Sequence, residues 1–91
     1  MVRVFVLYHA VPDAERYAVH AELCRQVPGG SFRHGAVTRT LAGDPVAHYA
    51  EWEFPDVETF KGATRTDEFR ATGADAAEMA IPHSVHVAEV E

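Results

Sequence analysis

The chain predicts an α+β fold with the element order β-α-β-β-α-β, and three observations carry that prediction. Two β-branched and aromatic runs open and close it, at residues 2 to 9 (VRVFVLYH) and 83 to 90 (HSVHVAEV). Two stretches with helical start signals separate the strands, one opening at Pro12-Asp13 and one at Asp56. Between the helices lies an alternating pair of strands joined by the turn LAGDP.

Taken in order, residues 2 to 9 put Val2, Val4 and Val6 on one face and Phe5 and Leu7 on the other, the pattern of a strand buried on both sides. From Asp13 to about Val27, Tyr17, His20, Leu23, Cys24 and Val27 keep the spacing of one helical face, and Pro28-Gly29-Gly30 stops the helix. Residues 32 to 40 (FRHGAVTRT) form the first arm of the hairpin. The second arm, residues 46 to 54, places Val46, His48, Ala50, Trp52 and Phe54 on one face. Asp56 caps the second helix, which is expected to bend or break near Thr64 to Thr66, because Gly62 weakens it and Thr66 precedes Asp67-Glu68 as a fresh cap. The sum is a ferredoxin-like unit: an antiparallel four-stranded sheet with two helices on one face.

Ninety-one residues suit one domain spanning the chain, with a small core, since a chain of this length buries only about 60 to 65% of the surface it exposes when unfolded. Two helices cover one sheet face, so the other needs a second cover. A second copy of the chain supplies it, pairing sheet against sheet into a dimeric α+β barrel, an isologous homodimer. Fourteen acidic against eight basic residues give a net charge of -6, which argues against nucleic acid and anionic membranes as partners. Cys24 is the only cysteine and lies on the buried stripe, so no internal disulfide forms. The N-terminal apolar run is too short for a signal peptide, and a cytoplasmic location is expected.

The opening VFVLYH, the helix ending H-x-x-L-x-x-x-V-P-G from His20 to Gly29, and AEWEFPDVETF at residues 50 to 60 together resemble the EthD-like family of the dimeric α+β barrel superfamily. Glu22 stands where that family commonly has proline. His20 matches either the family histidine, in a shortened helix, or another histidine earlier in that helix. The resemblance implies a dimer with a pocket between sheet and helices in each subunit. Relatives in the superfamily include cofactor-free oxygenases of polycyclic phenols, lactone isomerases, polyketide cyclases and haem-degrading enzymes. The last group uses a histidine on the second helix, where this chain has Gly62.

Six histidines in so short a chain invite an acid-base reading, because only imidazole changes charge near neutral pH without a shift. If their faces all point toward the helices, His20, His34 and His48 line one cavity with Trp52. Such a pocket suits a planar aromatic molecule stacked on Trp52, with a neutral imidazole removing a phenol or carbon-acid proton. The plainer reading is that His20 is a core residue satisfied by a backbone carbonyl or by Tyr17, that His34 and His48 are ordinary strand residues, and that Trp52 is core. Tyr8 and His9 end the first strand at a rim.

His83 and His86 are three apart on a strand and point to opposite faces, so they do not chelate together, and no metal site is expected. Cys24 has only His20 as a neighbouring base and reads as buried structure. Arg65 and Arg70, flanking the expected helix break, read as solvated charge.

Two functions follow as expectations. One is a small cofactor-free enzyme acting on a hydrophobic aromatic or polyketide-like small molecule by oxygenation, cyclisation or isomerisation. In it His20 is the base, His48 or Tyr17 the proton partner, and Trp52, His34 and Tyr8 contact the substrate. The alternative is a barrel that binds a ligand or a partner without turnover.

Overall fold

A computed structural model describes residues Met1–Glu91. Its elements are β1 (Val2–Tyr8), α1 (Ala14–Arg25), β2 (Ser31–Ala36), β3 (His48–Phe54), α2 (Val57–Thr64), α3 (Asp67–Met79) and β4 (His83–Glu89). The four strands form one antiparallel sheet in the order β2-β3-β1-β4. The fold is therefore ferredoxin-like. The second helix breaks where Thr66 stands: its hydroxyl accepts from the Phe69 amide at 3.2 Å and donates to the Ala63 carbonyl at 2.7 Å, ending one helix and capping the next.

Alternation decides which face is dry. Val2, Val4, Val6 and Tyr8 of β1 and Ala50, Trp52 and Phe54 of β3 are buried beneath Tyr17, Ala21, Cys24 and Val27 from the first helix and Ala63 from the second. β1 pairs Val4 with Trp52 on one side and with Val87 on the other. On the opposite face Arg3, Phe5 and Leu7 are half-buried within one chain.

β2 is shorter than the alternation over residues 32 to 40 predicts, and Val46 falls outside β3. The Ala47 amide bonds to the Tyr8 carbonyl at 2.8 Å, drawing this segment to β1, and the hairpin is prolonged by one backbone bond, Val37 amide to Ala47 carbonyl at 3.0 Å, and by the Val46 amide donating to the Thr40 hydroxyl at 3.2 Å. The turn after α1 is tight for a specific reason. Gly29 has φ +83°, and a Cβ on Gly30 would lie 2.6 Å from the Phe54 ring.

The third helix rides high over the sheet. It offers Thr72, Gly73, Ala76 and Ala77 to the space above Val6 and Val85, and side chains this small leave that space unfilled. No helix of the chain is long and apolar enough to cross a membrane.

Candidate functional site

The unfilled space is a cavity of about 330 Å³ between α3 and the β1-β4 half of the sheet, within the size range of small-molecule sites, roughly 300–1,000 Å³. Its apolar walls come from Val6, Trp52, Phe69 and Val85. Four side chains bring polar atoms to it: Tyr8, His20, Thr72 and His83. No lysine or arginine lines it. Val85 is 56% exposed and His83 is exposed, so β4 forms the mouth while Tyr8 and His20 sit deep.

His20 is held by a partner that its helical stripe does not reveal. Its Nδ1 lies 2.7 Å from Oδ2 of Asp75 on α3, and Asp75 in turn receives two bonds from Arg16, at 3.1 Å to Oδ2 and 2.6 Å to Oδ1. The His20 and Asp75 side chains are 5% and 13% exposed, so the pair is largely shielded from water. The Arg16 hydrogen bonds hold the Asp75 carboxyl below its ordinary range, with His20 adding to the effect. An ionised carboxylate only accepts, so Nδ1 carries the proton and Nε2 is the ring nitrogen left for the cavity.

Tyr8 and Tyr17 meet hydroxyl to hydroxyl at 3.2 Å, with Tyr17 donating. Burial raises the pKa of both, and Tyr17 is raised further by Tyr8. Both are therefore neutral hydrogen-bonding groups at physiological pH. Trp52 fills volume and also donates its indole N–H to the Cys24 carbonyl at 2.9 Å, which fixes the ring as a wall. Thr72 spends its hydroxyl proton on the Phe69 carbonyl at 2.6 Å and keeps only acceptor capacity.

The three imidazoles do not share the cavity. His34 and His48 bond to each other, Nδ1 to Nε2 at 3.0 Å, and neither lines the pocket. Both pack on the Tyr17 ring, at centroid distances of 4.8 and 4.9 Å. Burial lowers the pKa of each, with smaller contributions from Arg25 for His34 and from His34 for His48. Tyr17 likewise does not line the cavity and reaches the site from behind, through its bond to Tyr8 and its ring beside His20, 5.5 Å between centroids. Of the residues singled out from the sequence, His20, Trp52 and Tyr8 come together, while His34, His48 and Tyr17 form a cluster beside them.

Asp75, Arg16, Thr72, Phe69 and His83 were not anticipated as site residues. A signal for part of this exists in TGADAA at residues 72 to 77, an aspartate set among small residues in the middle of a helix. Cys24 is buried, and burial pushes its thiol up to about 12, so it is no nucleophile. His83 lines the mouth, whereas His86 stacks on Phe5 at 5.1 Å on the other face.

No protein-family model and no curated protein matches the chain. Solved structures do. The crystal structure of an ethyl tert-butyl ether D (EthD) family protein from Bacillus halodurans aligns over 100% of this chain and 99% of its own, at 25% identity and a TM-score of 0.82. The chain is similar in fold to that EthD family protein over its whole length. The likeness in fold extends to a dimeric ferredoxin-like protein from Thermobifida fusca, at 14% identity and TM-score 0.69 over 98% and 90% of the two chains. It also extends to an antibiotic biosynthesis monooxygenase, at 17% identity and TM-score 0.59 over 100% and 99%. At those identities the likeness is one of fold.

Proposed function

We propose that this EthD-like chain is a small cofactor-free enzyme that acts on a hydrophobic aromatic or polyketide-like compound by histidine-assisted proton transfer. The observation that carries the reading is His20, buried, anchored through Nδ1 to an ionised aspartate, and presenting Nε2 to an apolar cavity. A base so placed takes a proton from a phenol or from carbon next to a carbonyl: the O–H or C–H bond breaks, an N–H bond forms at Nε2, and the electron pair stays on the substrate as phenolate or enolate. The imidazolium is stabilised by Asp75, and the Tyr8 hydroxyl is a donor for the new oxyanion. The anion then cyclises or isomerises and takes the proton back from Nε2, or reacts with dioxygen, one oxygen atom entering a ring carbon as a carbonyl and the other leaving as water with the two hydrogens lost from the substrate. The kinship in fold with EthD and antibiotic biosynthesis monooxygenase structures supports a small-molecule role.

The same reading takes residues 1–91 as one barrel unit of a homodimer working in the cytoplasm. Phe5, Leu7 and Tyr49 lie half-buried on the sheet face that no helix covers. Several structures of the same fold are described as dimeric, which supports a paired assembly.

The test is to incubate the purified protein with anthrones, naphthols and enolisable aromatic ketones in air and follow product by absorbance and mass. Turnover that falls at least a hundredfold in His20→Gln, with ligand affinity kept, is the expected result. Binding without turnover in the unaltered protein sinks the enzymatic reading and leaves a ligand-binding barrel.

A further inference from the structure

The Arg16-Asp75-His20 chain does more than hold a ring in place. Arg16 donates to both oxygens of Asp75, and His20 Nδ1 shares one of them, Oδ2. The carboxylate is thereby committed as an acceptor at both ends, and the imidazole has one tautomer compatible with it, Nδ1–H with a bare Nε2. Nε2 is thus an acceptor facing a cavity whose other deep polar group, the Tyr8 hydroxyl, receives its own hydrogen bond from Tyr17 and keeps its proton to donate. An acceptor and a donor lining one cavity match a hydroxyl, which gives one hydrogen bond and receives one.

Charge narrows the ligand further. The cavity lining contains no arginine or lysine, and Arg16, behind His20, is bound to Asp75 through both carboxylate oxygens. A carboxylate or phosphate entering this apolar space would lose its hydration with no counter-charge. The walls of Val6, Trp52, Phe69 and Val85 suit a flat ring system.

We infer that the cavity selects neutral hydroxyarenes, the hydroxyl donating to His20 Nε2, and that Asp75, held by Arg16, is the positioning residue that sets this polarity. The inference rests on the functional reading above and sharpens its substrate class.

The carboxylate's geometry makes Asp75→Asn a polarity switch. An amide has one acceptor oxygen, and the shorter Arg16 bond, 2.6 Å to Oδ1, claims it. The amide N–H then faces His20 Nδ1 and donates to it, forcing the proton to Nε2. The pocket now offers two donors, which suits an oxygen that only accepts.

Calorimetry with 2-naphthol, its methyl ether and 2-naphthoate reads the preference, and long-range nitrogen-15 NMR of labelled histidine reads the tautomer. The unaltered protein is expected to bind 2-naphthol about tenfold more tightly than the ether, the weight of one hydrogen bond, and to exclude the naphthoate. In Asp75→Asn the preference disappears or reverses, and His20 changes from Nδ1–H to Nε2–H. If 2-naphthol fails to bind the unaltered protein, the small-molecule reading of the cavity falls and this inference with it. If 2-naphthol is preferred over the ether equally in both proteins, only the role of Asp75 is overturned, and a preference for the ether in the unaltered protein overturns the selectivity itself. An Nε2–H tautomer in the unaltered protein overturns it as well, with no variant required to fold.

Discussion

Single side chains in this molecule are set by what sits across from them. Cys24 is 1% exposed and its thiol is raised by burial, so a water-soluble thiol reagent should label it only as fast as the protein unfolds, which a labelling series in denaturant checks. Asp75 titrates below its ordinary value because Arg16 and His20 bond its ionised form. A depressed carboxylate contributes stability above its unfolded pKa of 3.8 that is lost as pH falls through the folded value. Asp75→Asn should therefore remove part of the acid limb below about pH 4 in a melting-temperature profile, with the alkaline side left flat. His34 and His48 are also depressed, so their contribution is present above 6.5 and fades as pH drops below it. Replacing both with Gln should flatten that mildly acidic region without touching ligand affinity, since neither lines the cavity.

Elements owe their limits to caps and close approaches. Thr66 serves two helices at once, accepting from Phe69 and donating to Ala63, and Thr66→Ala should cost about 1–2 kcal/mol by urea unfolding. Gly30→Ala should destabilise by about 1–3 kcal/mol, because the added methyl meets the Phe54 ring at 2.6 Å inside packed structure. The helix break at Thr64 to Thr66 and the caps at Asp13 and Asp56 were legible because each rests on neighbours within a few residues. The early end of β2 was not, since it depends on Ala47 bonding to Tyr8, thirty-nine positions away in the chain.

At the scale of the whole molecule, the uncovered sheet face is the main unsatisfied feature. Only 15 of 91 residues are buried within one chain, as expected for so short a sequence. The open face carries Phe5 between His86 and Tyr49, beside Glu51, which is 6% exposed and lies within 3.1 and 3.3 Å of Arg3 and Arg33. A mixed face of this kind is able to meet its own twofold copy charge to opposite charge, as the proposed homodimer requires. Light scattering should give the mass of two chains, and Phe5→Glu should give one, with the circular dichroism of the fold retained. A single-chain mass for the unaltered protein would remove the barrel.

Periodicity was enough to place the strands and the helices and to turn His20 and Trp52 inward, because the side-chain direction of each follows from its own local backbone, but it left open which face of β1 meets the helices and whether Tyr8 or His9 points in. It did not reveal that Asp75 and Arg16 grip His20, or that His34 and His48 pair with each other beside Tyr17. Asp75 meets Arg16 and His20 only where α3 packs beside α1, and His34 meets His48 only where β2 pairs with β3. Such meetings are fixed by the packing of elements distant in the chain, which no local pattern encodes.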